Sequence, residues 1–174
     1  MKDFMEEAEF IKNPHDALRR DLLAGIDTPE VFLEKVRELD RSSDDRRHSV
    51  LNLQILESPD IRAIFEQHDY RDEYYAEMAF AAFHSAQVVA AQGDVGMNSL
   101  LQKSLSYLRE IKDITRRPLT IEYVEGTVAY LNSDTPLMRE IIGKLSHNET
   151  NRDVLERLLY GLTQRGYPDY DTDY

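Results

Sequence analysis

The sequence predicts an all-α fold of stacked antiparallel helical hairpins, about nine to ten helices arranged as an α-solenoid or an irregular α-bundle. Three observations carry this expectation. Glycine and proline number only 7 and 6 in 174 residues. Apolar residues recur three and four apart almost throughout, whereas runs alternating apolar and polar over strand length are scarce. Prolines follow helix-capping residues at Asn13-Pro14, Thr28-Pro29, Ser58-Pro59 and Thr135-Pro136. A capping oxygen satisfies an unpaired N–H of the first turn, and proline at the first helical position gives up a donor that had no partner.

Taken in order, Phe4, Met5, Ala8 and Ile11 make a short stripe closed by Asn13-Pro14, and Ala17, Leu18 and Leu22 a second that Gly25 ends. In IDTPEVFLEKVREL, Thr28 is the expected cap, Pro29 the first helical residue and Glu30 an acid favoured by the helix dipole; Val31, Phe32, Val36 and Leu39 form the core face. The stretch RSSDDRRH reads as a loop or helix entry capped by Ser42 or Ser43. Val50, Leu51, Leu53, Ile55 and Leu56 then make a helix apolar on much of its circumference, hence sandwiched, and Ile61, Ile64 and Phe65 line the next.

The segment from Tyr70 to Gln92 should be central. Tyr75, Ala79, Ala82, Ala86 and Val89 form one stripe, Met78, Phe80, Phe83 and Ala90 widen it, and the alanines let neighbouring backbones approach. Gly93-Asp94 breaks this helix, and Leu100, Leu101, Leu105, Leu108 and Ile111 mark its return. A second hairpin joins TIEYVEGTVAYL to TPLMREIIGKL through Asn132-Ser133-Asp134, with Thr135 as the expected cap and Leu137, Ile141, Ile142 and Leu145 as core face. NRDVLERLLYGL opens a third unit that runs into TQRGYPDYDTDY. Gly126 aligns with Gly161 and Asp134 with Asp169 at an offset of 35, and Asp94 with Asp134 at an offset of 40. Such spacings belong to stacked helical hairpins.

A chain of this length buries a sizeable core unaided, so one domain over 1–174 is expected, residues 1–69 packing on a hairpin region over 70–174. With no cysteine, disulfides and thiolate chemistry are excluded. The start MKDFMEEAEF has no apolar leader, and no run is long enough to span a bilayer, so a cytoplasmic protein without membrane contact is expected. Thirty-three acids against 21 bases give a net charge of −12, a field that repels nucleic acid and attracts basic partners. The doublets Arg19-Arg20, Arg46-Arg47 and Arg116-Arg117 read as helix faces paired with nearby acids.

From about Tyr70 onward the chain resembles tetratricopeptide-like repeats. The residues that carry the resemblance are Gly126, Tyr130 and Ser133-Asp134, together with Ala86 and Gly93-Asp94: a small residue mid-helix, an aromatic four on, and an acidic turn. Glu122 and Glu125 stand where the family buries apolar residues, so the stripe here is Ile121, Val124, Val128 and Leu131. The resemblance implies a non-catalytic scaffold binding a peptide or protein along the first helices of successive hairpins. Carried over, that face comprises Phe83, Gln87, Tyr123, Thr127, Tyr130, Leu158 and Leu162. Packing against the next helix is the competing assignment for each.

Motifs for chemistry are lacking: there is no Gly-rich phosphate loop, no Gly-x-Ser-x-Gly and no His-Glu-x-x-His. Glu66, His68, Asp69, Asp72, Glu73, Glu77 and His84 place Glu73, Glu77 and His84 on one helical face, but the Glu-x-x-His pairs of di-metal bundles are missing and a solvated acidic face is favoured. No catalytic residue, metal or cofactor is expected. The segment GYPDYDTDY alternates Tyr167, Tyr170 and Tyr174 with Asp169, Asp171 and Asp173. Its tyrosines suit either docking on a partner or folding back over the last hairpin. Two functions follow, a scaffold for a protein or peptide, and a small acidic inhibitor of a basic nucleic-acid-handling enzyme.

Overall fold

The computed structural model describes residues 14–42, 47–91, 96–145 and 148–174, without the side chains of Arg47, Ala91 and Asp171. The stripe of Phe4, Met5, Ala8 and Ile11, the cap Asn13, Ser43, Arg46 and the Gly93-Asp94 turn lie outside the described residues. Those residues are all-helical, with no strand among them. A first helix, α1, covers 14–23. It is followed by α2 (Pro29–Arg41), α3 (Arg47–Leu56), α4 (Pro59–Glu66), α5 (Arg71–Ala91), α6 (Met97–Glu110), a 3-10 turn (Ile114–Arg116), α7 (Ile121–Leu131), α8 (Thr135–Lys144), α9 (Glu149–Arg165) and α10 (Tyr170–Asp173). No described helix is long and apolar enough to cross a membrane.

Helix α5 is the axis of the molecule. Tyr74, Met78, Ala79, Ala82 and Ala86 are fully enclosed, and α2, α3, α4, α6 and α10 all pack against it. Its alanines allow the closest of these approaches: Ser104 Oγ donates to the Ala79 carbonyl at 2.8 Å, side chain of α6 to backbone of α5. Arg71, at the start of α5, donates to the Glu110 carbonyl and carboxylate at the end of α6 at 2.9 and 2.7 Å, so the two helices are antiparallel. One buried apolar cluster runs from Leu18 in α1 to Tyr170 in α10. Each large side chain enclosed there contributes about 1.5–3 kcal/mol.

The 14–66 helices lock onto α5 and α6 through specific polar bonds as well. Tyr74 Oη donates to the Leu56 carbonyl at 2.5 Å, and Lys103 Nζ to Glu57 at 2.8 Å. Phe65 stacks on Tyr74 with centroids 4.7 Å apart. Arg19 reaches Asp60 and Arg116 reaches Glu73, so those arginines pair with acids.

Several expectations are corrected. Leu33, not Val31, faces the core of α2, and Met138, not Leu137, that of α8; Leu137 is 40% exposed. Ser42 is the C-cap of α2, its hydroxyl donating to the Leu39 carbonyl. Ser58 precedes α4, but its hydroxyl donates backward to the Ile55 carbonyl at 2.6 Å and makes no cap bond. The second Asp-Thr-Pro is capped by Asp134, whose carboxylate accepts from Leu137 N at 3.0 Å; Thr135 is the first helical residue.

Candidate functional site

Helices α5, α7 and α9 present one continuous face, and the segment 167–174 lies on it. Helix α9 ends at Gly166, left-handed at φ +80°, which turns the chain back through Pro168. Asp169 caps α10, accepting from the Thr172 amide at 3.4 Å and from its hydroxyl at 3.0 Å. That turn carries Tyr170 and Asp173 inward.

Two seats receive them. Gln87 Nε2 of α5 donates to Tyr170 Oη at 3.1 Å, and the Tyr170 ring meets Tyr130 edge-on with centroids 6.3 Å apart. Asp173, its side chain 5% exposed, forms an ion pair with Arg165 and accepts from Tyr130 Oη at 2.5 Å. Tyr130 Oη in turn accepts from the Asp169 amide at 2.5 Å, so one hydroxyl holds the segment by both backbone and side chain. Beneath the carboxylate lies Gly161, where a Cβ would collide with Asp173. Burial is the main cause that pushes the Tyr130 and Tyr123 hydroxyls well above the usual phenol range, with Asp173 adding to the first and Tyr170 and Tyr174 to the second.

The residues carried over from the repeat resemblance are therefore brought together, but as a covered face. Phe83, Gln87, Tyr123, Thr127, Tyr130, Leu158 and Leu162 are all buried. Phe83 packs on Tyr123 at 5.5 Å between centroids, and Thr127 spends its hydroxyl on the Tyr123 carbonyl at 3.0 Å. Of the segment's tyrosines only Tyr167 and Tyr174 are open, at 58% and 44%, while Tyr170 is buried. Tyr174 stacks on Tyr170 with centroids 5.0 Å apart. Arg165 is absent from the sequence-based expectations, and Asp173 stands there only as one of the acids of GYPDYDTDY; the Gly126–Gly161 alignment was the available signal, since a glycine in mid-helix marks a close approach.

A second polar cluster lies between α2, α3 and α5. Asp40 accepts from Ser49 Oγ at 2.5 Å and pairs with His84 Nδ1 at 2.9 Å. The carboxylate separates the serine from the histidine, and Ser49 is enclosed, so this is no nucleophile–base relay. Arg37 pairs with Glu77, whose carboxyl burial holds above its usual range against the pull of that arginine. Arg37, Asp40 and Glu77 line a cavity of about 160 Å³ with Asn52 and Phe80, below the range of most small-molecule sites. Glu73, Glu77 and His84, which share a face of α5, thus turn to three different partners: Arg116, Arg37 and Asp40. No group of three metal-ligating side chains converges among the described residues.

No family model matches the chain, and no curated protein or solved structure matches it either.

Proposed function

We propose that this protein is a non-catalytic helical scaffold, tetratricopeptide-like in its hairpins, that binds a short segment of a protein partner on the face of α5, α7 and α9. One observation carries the reading: that face already holds a peptide segment, residues 167–174, by side-chain-specific contacts to Gln87, Tyr130 and Arg165. A surface used only for packing has no need of a carboxylate seat. The excess acids lie apart, on α2 at Glu30, Glu34 and Glu38 and on α7 to α9 at Glu122, Glu140, Glu149 and Glu156, all exposed. That spread favours a scaffold over an inhibitor that needs one concentrated acidic patch.

The test is selection of a displayed peptide library on the full chain carrying Tyr170→Ala and Asp173→Ala. Selected peptides should lose binding when Arg165→Ala or Gln87→Ala is added. Failure to select any peptide, or binding indifferent to both residues, sinks the reading.

A further inference from the structure

Resting on that reading, the details of the two seats say what kind of ligand they take and how access is controlled. We infer that the face recognises an acidic peptide with tyrosine and aspartate three residues apart on one helical turn, and that the segment 167–174 is a resident competitor which such a ligand displaces.

The ligand class follows from the seats. Tyr170 and Asp173 stand three apart in α10, which puts both on one side of the turn. The Asp173 seat has a cation, Arg165, a hydroxyl donor, Tyr130, and a floor, Gly161, on which no side chain fits beneath the carboxylate. A neutral or basic residue there would leave Arg165 without its ion-pair partner and Tyr130 Oη without its acceptor. The Tyr170 seat is aromatic-walled and closes on the Gln87 amide.

Displacement follows from how little fixes the segment. Its buried side chains are Tyr170 and Asp173, joined by the hydrogen bond of the Asp169 amide to Tyr130, whereas α8 is anchored by Met138, Ile141 and Leu145. Gly166 is a left-handed pivot with open space where a Cβ would stand, and Tyr167 is exposed, its ring touched by the Arg165 guanidinium. The segment also leaves a bond unmade: Gln87 is 9% exposed, yet its amide oxygen has no hydrogen-bond partner. A buried amide oxygen without a donor is costly, so a ligand that donates to it gains where the resident segment does not. Self-occupancy weakens any incoming peptide by the fraction of time the face is open.

Fluorescein-labelled GYPDYDTDY, residues 166–174 of this chain, is titrated by fluorescence anisotropy against full-length protein. The Tyr170→Ala/Asp173→Ala chain should bind it about tenfold or more tightly than the unaltered chain, and adding Arg165→Ala should abolish that binding. A peptide with alanine at the position of Asp173 should not bind. Equal affinity for the unaltered and double-variant chains overturns the competitor; undiminished binding of the alanine peptide overturns the ligand class. If the double variant binds no labelled peptide while hydrogen exchange shows its 173 and 174 amides unprotected, the inference fails, whereas the scaffold reading fails only with the library selection. Should the double variant lose its helical circular dichroism, Asp173→Asn alone supplies the same comparison, with the same outcomes counting for and against.

Discussion

The pair α7/α8 and the pair α9/α10 share a plan and differ in what closes it. Asp134 caps α8 as Asp169, 35 residues on, caps α10. Gly126 in α7 and Gly161 in α9, also 35 apart, each accept a side chain where a Cβ would stand. At Gly126 the visitors are Leu155 and Ile141; at Gly161 the visitor is the Asp173 carboxylate. An apolar closure is driven by removal of surface from water and is indifferent to direction. A carboxylate closure depends on two named donors, and any other carboxylate of the right reach competes for them. The same geometry thus makes a fixed core in one place and an exchangeable seat in the other.

The largest effect that separates the two regions is truncation of their anchors. Met138→Ala, at a fully enclosed position, should lower unfolding free energy by about 2–5 kcal/mol, read as a lower urea midpoint with unchanged slope. Tyr170→Ala should cost far less, because the segment can leave the face without the rest unfolding. Equal losses from the two substitutions would make the segment part of the core and remove the contrast.

Alkaline titration loads α5, the axis of the molecule, as well as Tyr123 and Tyr130 at the seat. Burial raises Tyr74 and Tyr75 to about 12, against about 10 in an unfolded chain. Between those values the folded state holds the proton and the unfolded state has lost it. Stability is therefore complete below pH 10 and falls as pH rises through 12. The loss from Tyr74 is on the order of 2 kcal/mol, and Tyr74→Phe should remove most of that share from the drop in urea midpoint between pH 9 and pH 11.5. An undiminished drop in the variant places the titration elsewhere.

Next in size is the glycine pair. Gly126→Ala drives a methyl into Leu155, with Ile141 Cγ2 at 3.3 Å behind it, and should destabilise by about 1–2 kcal/mol as overpacking outweighs helix propensity. Gly161→Ala meets only the end of a side chain on a movable segment. Its global stability should hold or rise by about 0.5–1 kcal/mol from propensity, while the 173 and 174 amides lose exchange protection. If Gly161→Ala unfolds the protein as Gly126→Ala does, the seat is not exchangeable.

How far the sequence announced all this depends on the interaction involved. Helices and their order were legible because periodicity and capping are local, and the central place of α5 could be read from its alanines and its wide apolar surface. Which of two nearby apolar residues turns inward was not: Val31 against Leu33, and Leu137 against Met138, differ by a rotation that neighbours decide. The face was legible as a set, since Gln87, Tyr123 and Tyr130 do converge on one surface. Its occupant was legible only as one of two alternatives for GYPDYDTDY, folding back or docking on a partner; the Arg165–Asp173 pair was not, because these are ordinary charges among 54, and only the turn at Gly166 and Pro168 brings them together. The Asp40–Ser49–His84 and Arg37–Glu77 contacts span α2, α3 and α5 and have no local signature.

The smallest effect tests the finest distinction, between two copies of one triplet. In the first Asp-Thr-Pro, Thr28 Oγ1 accepts from Val31 N at 3.3 Å, while Asp27 is drawn off to Lys35 Nζ at 2.7 Å. In the second, Asp134 caps, and Thr135 has already entered the helix behind Ser133, which is left-handed at φ 57°. The frame has slipped by one residue because the tight turn after α7 delivers the aspartate, not the threonine, to the last non-helical position. Thr28→Ala and Asp134→Ala should therefore each cost about 1 kcal/mol, and Thr135→Ala almost nothing, by urea denaturation. A loss at Thr135 equal to that at Thr28 would mean that the two triplets start their helices alike. The carboxylate of Asp134 would then be idle, and the parallel with Asp169, on which the comparison of the two units rests, would go with it.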